Sequence, residues 1–199
     1  LLNRFREKLI PFTRSIGNNF GSLGFSPTFW SMVGFAFAIL SSVFFGLSNF
    51  LNQQGIEFPS QIFASIMLLI SGFFDIVDGS VARVLKRTTT KGAFLDSNFD
   101  KISEALIFIG IAIGGLANPI LAMIALATSI LVSYLRARAE SLGIELKGVG
   151  IGERAERLLI LSICGLIPIS ESIQWGVVII IIISAFSFVQ RFRYVLKRI

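Results

Sequence analysis

Four aspartates carry the strongest chemical signal in the sequence. Asp75 and Asp78 are three residues apart and Asp96 and Asp100 four apart, so on helices each pair projects from one face. Two facing helices then bring four carboxylates together. Such crowding beside apolar segments is costly, because like charges repel and desolvation adds to the cost. A hard divalent cation offsets it. The chain has no histidine and one cysteine, Cys164 in the apolar run LLILSICGLI, so the donors are oxygens and the expected ion is Mg²⁺ or Mn²⁺ rather than zinc. Cys164 reads as packing. Mg²⁺ usually keeps positions open for water and substrate phosphates, so the cluster reads as a site for a phosphate-bearing ligand. Arg83 lies about one turn beyond Asp78 and can grip phosphate through two hydrogen bonds. Gly79 and Gly92 let a nucleotide approach the backbone closely, and the threonines of TTTKG, Thr89 among them, offer hydroxyls.

The elements that must hold these residues are membrane helices. Of the 199 residues 54% are hydrophobic, more than a soluble domain of this size needs for one core. Six stretches approach the length that crosses a bilayer, near 29–48, 60–78, 98–116, 119–136, 156–170 and 173–192. The expected fold is an all-α membrane protein of six transmembrane helices, a bundle over 29–192, with an amphipathic interfacial helix over 1–20 before it. Leu2, Phe5, Leu9 and Phe12 form that helix's apolar stripe, with Arg4, Lys8 and Arg14 interspersed. The opening segment lacks the long apolar run of a cleavable leader. Trp30 and Trp175 sit near span ends, as interfacial aromatics do. No repeat or long linker divides the sequence, so 1–199 reads as one domain.

Charge gives the orientation. Lys and Arg fall only in segments 1–28, 78–101, 136–157 and 191–199, which hold four, five, five and four and so account for all 18. The intervening connections hold none. Short cytoplasmic loops retain such residues, so both termini and the aspartates are expected on the cytoplasmic side of the cell membrane. The net charge of +6 does not indicate nucleic-acid binding, because the cations lie between apolar spans. The second polar loop and its flanks place Ser133, Arg136, Arg138, Arg154 and Arg157 at the ends of the fourth and fifth spans, and Arg191 follows the last. Converging arginines make a phosphate pocket.

The segment DIVDGSVARVLKRTTTKGAFLDSNFD resembles the signature of the CDP-alcohol phosphotransferases, complete at Asp75, Asp78, Gly79, Ala82, Arg83, Gly92, Asp96 and Asp100. The resemblance implies six transmembrane helices, usually in a homodimer, and transfer of a lipid phosphatidyl group from a CDP-linked donor to an alcohol with release of CMP. It implies that Asp75, Asp78 and Asp96 hold two metal ions and that Asp100 touches metal and acts as general base. It also implies that Asp75, Gly79, Ala82, Arg83, Thr89 and Gly92 bind the CDP-lipid. Many members carry Pro-Asn or Pro-Asp before the first span, where this chain has Pro27 and Thr28. The strings SYLRARAE, GERAERLLIL and VQR are similar to the branch whose acceptor is inositol phosphate, which implies CDP-diacylglycerol or CDP-archaeol as donor. Glycerol-3-phosphate is the rival acceptor. A divalent-cation channel or transporter is the non-enzymatic alternative, but it leaves Arg83 and the glycines without a role.

Overall fold

A computed structural model describes residues 2–86, 88–146, 148–169 and 171–199, with side chains of the first helix described from Pro11 onward. The described residues form seven helices in order: α1 (Leu2–Gly21), α2 (Pro27–Gln53), α3 (Ser60–Leu85), α4 (Thr90–Ile113), α5 (Pro119–Ser141), α6 (Arg154–Leu166) and α7 (Ser172–Leu196). The described residues contain no strand. Among the described residues four helices, α2, α3, α5 and α7, are long and apolar enough to cross a membrane, which marks a multi-pass membrane protein. The expectation of six differs from this at two places. α4 carries Lys91, Asp96, Asp100, Lys101 and Glu104 in its first fifteen residues. α6 has 13 residues, about 20 Å at 1.5 Å per residue, against a hydrocarbon core of roughly 30 Å.

Local sequence sets the helix ends. Ser26 caps α2, its Oγ accepting from the Phe29 amide at 3.2 Å, and Pro27 occupies the first turn. Thr89 caps α4 by accepting from the Gly92 amide at 3.0 Å. At α6, the Glu156 carboxylate reaches back to accept from the amides of Gly152 at 2.6 Å and Glu153 at 3.0 Å, which holds the entering backbone against the first turn.

α2 packs along α3 and α4, α1 lies across the end of α3, and α5 packs on α7. Small residues permit the tightest approach. A Cβ at Gly110 would collide with the Ser42 carbonyl, and one at Gly114 with that of Phe45, so α4 needs glycine at both to lie against α2. The main core joins Phe45, Leu68, Ile107, Ile111, Leu161, Ile173 and Ile180 from five helices. In α1, Ile16 is buried with Val77, Val81 and Trp30, whereas Phe12 is exposed, as an apolar residue facing lipid would be. The side chains of Leu2, Arg4, Phe5, Lys8 and Leu9, the rest of the expected stripe and its cations, lie outside the described residues. Trp175 is exposed, but Trp30 is buried, stacked on Phe74 at 5.7 Å and edge-on to Phe20 at 5.1 Å. Trp30 therefore ties α1, α2 and α3 together instead of lying at the lipid interface. Cys164 packs against Gly176 at the α6–α7 crossing.

α4 and α6 are joined by charge. Arg157 is 2% exposed and Glu104 1%; Arg157 Nε donates to Glu104 Oε1 at 2.8 Å, and its Nη1 to the Gly152 carbonyl at 2.6 Å. Removing one member strands the other in a dry interior, which costs about 3–5 kcal/mol, while an apolar pair of similar volume is often tolerated. Glu104→Leu is therefore expected to lower the thermal midpoint in detergent sharply, and Glu104→Leu with Arg157→Met to recover much of the loss. A single variant as stable as wild type would contradict this account.

Candidate active site

α3 and α4 both pack on α2, which brings their acidic turns together. Asp75 and Asp78 stand on adjacent turns of α3, and Asp96 and Asp100 one turn apart on α4. Ligand oxygens of Asp75, Asp78 and Asp96 all lie within 4.8 Å of one another. Asp78 is buried, and its Oδ2 has no hydrogen-bond partner among the described residues. A buried carboxylate oxygen left without a donor, among oxygens only, fits a hard divalent cation. Ser31 of α2 faces the same group from the side.

Asp100 lies outside that convergence and is held differently. Arg154, the first residue of α6, places Nη1 2.5 Å from Asp100 Oδ1 and 3.0 Å from Asp75 Oδ1. One guanidinium thus bridges the two aspartate pairs. The sequence reading placed Arg154 with the acceptor's phosphate; here it is also the clasp of the carboxylates. Its position depends on the loop before α6. Gly148, Gly150 and Gly152 all have positive φ, and side chains at Gly150 and Gly152 would strike Arg191 and Ile183 of α7. Glycine is required there both by conformation and by space.

Two larger cavities adjoin the small one that the four aspartates line. One, of about 190 Å³, is lined by Thr28, Ser31, Asp78, Gly79, Ala82, Thr89, Gly92 and Asp96 among others. It unites Gly79, Ala82, Thr89 and Gly92, as the signature implied, and adds Thr28. Two of the implied residues are exceptions: Asp75, which lines the second cavity, and Arg83. Its guanidinium lies beside Gly79, donates to Ser80 Oγ at 3.2 Å, and faces a groove between α1 and α3 with Arg14 and Lys86.

The second cavity, of about 490 Å³, includes Asp75, Asp96, Asp100, Ser133, Arg136, Arg154, Arg157 and Arg191 in its wall. Five of the six residues expected to hold an acceptor phosphate therefore converge. Arg138 does not, because two residues along α5 from Arg136 is the opposite face of the helix; it is exposed and donates to Ser141 Oγ at 3.4 Å. The guanidinium groups differ in freedom. Arg136 pairs with Glu140 at 2.9 Å, Arg157 is bound to Glu104, and Arg191 Nε and Nη1 donate to the carbonyls of Val149 at 2.9 Å and Val132 at 3.3 Å. Sequence reasoning passed over Ser31, Lys101, Glu104 and Glu153, all beside the site. Glu104 alone carried a visible signal, being one turn beyond Asp100 on the same face.

Comparison with known proteins agrees with this geometry. The family model of CDP-alcohol phosphatidyltransferase matches residues 26–189. The chain is 35% identical to archaetidylinositol phosphate synthase of Pyrococcus horikoshii over 199 residues, covering 100% of this chain and 98% of that one. It is also 35% identical to archaetidylinositol phosphate synthase of Methanothermobacter thermautotrophicus, covering 100% and 96%. In structure it resembles Mycobacterium tuberculosis phosphatidylinositol phosphate synthase with CDP-DAG bound, at a TM-score of 0.74, 25% identity and 92% coverage of each chain. The same enzyme in complex with manganese and citrate superposes at a TM-score of 0.73 with 25% identity, over 92% of this chain and 88% of that one. With a family model spanning most of its length and relatives matched from end to end, this chain belongs to the CDP-alcohol phosphatidyltransferase family.

Proposed function

We propose that the protein transfers a phosphatidyl- or archaetidyl-type group from a CDP-linked lipid to inositol phosphate, releasing CMP. The observation that carries this reading is the pair of cavities on the aspartates: one lined by the signature glycines and threonines, the other by cations suited to a phosphorylated alcohol. The names of the full-length relatives support the same acceptor. Glycerol-3-phosphate remains the chemical rival because it also carries a phosphate.

In this reading Gly79, Ala82, Thr89, Gly92 and Thr28 hold the CDP moiety, and Arg83 serves it from the α1 side. Asp75, Asp78 and Asp96 would hold two Mg²⁺ ions, or Mn²⁺, with Asp100 at their edge. Bound there, the ions would neutralise the pyrophosphate and stabilise charge on the departing CMP oxygen. Asp100 takes the proton from the acceptor hydroxyl as its oxygen bonds to the lipid-bearing phosphorus and the bond to CMP breaks. Arg154 keeps Asp100 oriented and offers its remaining donors to the acceptor. Ser133 and Arg136 bind the acceptor's phosphate, while Arg157 and Arg191 shape the wall behind it.

Residues 1–199 act as one domain in this proposal, with α2 to α7 as a six-helix membrane core. α4 and α6 complete the core with shorter apolar stretches because their polar ends form the site. The Lys and Arg distribution supports a cytoplasmic site and cytoplasmic termini, and family resemblance supports a homodimer.

Three measurements test this. Chelation with EDTA should abolish CMP release, and Mg²⁺ or Mn²⁺ should restore it; turnover indifferent to chelator would remove the metal assignment. Asp100→Asn should lose turnover by at least about a hundredfold, the lower range for a general base, while still binding CDP-lipid. Near wild-type turnover would assign the base elsewhere. In an acceptor panel with CDP-archaeol and CDP-diacylglycerol, inositol phosphate should be preferred to glycerol-3-phosphate, inositol and serine. Preference for an unphosphorylated alcohol would overturn the acceptor assignment, and cation flux without CMP release would favour the transporter.

A further inference from the structure

We propose that Lys101 is a direct ligand of the acceptor's phosphate, a role that rests on the acceptor cavity assigned above. Among the described residues five cations line that cavity: Lys101, Arg136, Arg154, Arg157 and Arg191. The four arginines are already engaged by protein oxygens. Arg154 is bound to Asp75 and Asp100, Arg157 to Glu104 and the Gly152 carbonyl, Arg191 to two carbonyls, and Arg136 to Glu140. Lys101 differs. Among the described residues its ammonium makes no hydrogen bond and no ion pair, although the residue is half-buried and both Asp100 and Glu104 lie near enough to act on it through space.

The register of α4 explains why it is left over. Asp100 and Glu104 are the neighbouring carboxylates, one beside Lys101 and one three residues on, and α6 supplies a guanidinium to each. With its natural partners taken, Lys101 is a cation withdrawn from bulk water and given no protein acceptor in exchange, which is unfavourable until an anion arrives. The cavity opens to a phosphorylated alcohol, whose phosphate supplies that anion. A lysine suits the task, since its flexible stem lets a compact charge follow a small ligand.

The consequence is selectivity for an acceptor that carries both an anion and a hydroxyl. Lys101 immediately follows Asp100 on one rigid helix, so a phosphate bound to the first presents the rest of the alcohol to the second. A neutral alcohol gains nothing from Lys101.

The test measures initial rates with Mg²⁺, CDP-lipid and inositol phosphate for wild type, Lys101→Met and Lys101→Arg, with inorganic phosphate as competitive inhibitor. Lys101→Met should raise acceptor KM about tenfold to a hundredfold, the worth of one charge-assisted contact, and weaken phosphate inhibition similarly. Donor KM should hardly change. Lys101→Arg should recover most of the loss, and provides the comparison if the methionine variant accumulates poorly: a guanidinium there should keep phosphate inhibition within a few fold of wild type. A fall in kcat with unchanged acceptor KM and unchanged phosphate inhibition would make Lys101 a counter-charge within the fold and overturn the proposal. Wild-type protein that uses no phosphorylated alcohol would overturn both this proposal and the acceptor reading beneath it; a wild type that does, with a Lys101→Met acceptor KM unchanged, overturns this one alone.

Discussion

The protein is organised around the repulsion of aspartates that two helices force together. Three of them bring oxygens within 4.8 Å, and the fourth lies one turn away, in a molecule whose surroundings are largely hydrocarbon. No packing arrangement makes that favourable without positive charge. Some of it comes from the chain: Arg154 reaches Asp75 and Asp100 with one nitrogen. The geometry of Asp78, with a buried oxygen lacking a donor, leaves the remainder to a ligand.

Much of the scaffold serves to place Arg154. Glu156 holds the backbone entering α6 through two amides, Arg157 pins the first turn to α4 through Glu104, and the glycines at 150 and 152 let the preceding loop lie on α7 beside Ile183 and Arg191. Three kinds of interaction, a cap, a buried ion pair and a backbone-only approach, thus act on one side chain. Their collective effect is that a long residue with about 2 kcal/mol of rotamer entropy is delivered to the aspartates already ordered.

The parts of this arrangement written in short spacing were legible in the sequence. Asp75 to Asp78 and Asp96 to Asp100 show their shared faces through helical periodicity alone, and the apolar runs of α2 and α7 declare themselves by length. Contacts between distant residues did not. Arg154 meets Asp75 across 79 positions, and nothing in the string GERAERLLIL separates a residue that clasps carboxylates from one that greets a substrate. Arg157 was equally opaque, because its partner Glu104 is one acid among several. Arg83 turned toward α1 since its helix face, fixed by register, points there. The span count differed at two helices for two reasons: α4 is long enough but carries charges through its first fifteen residues, and α6 has only 13 residues.

The two cavities meet at the aspartates but are otherwise lined by different residues, with Asp96 in both walls. That separation bears on stereochemistry. On the proposed assignment of nucleotide to one cavity and alcohol to the other, the incoming oxygen would reach phosphorus from the side away from CMP, and no side chain would need to carry the lipid phosphate between them. The reaction would then be a single displacement through a ternary complex, and the phosphorus centre would emerge with its configuration inverted.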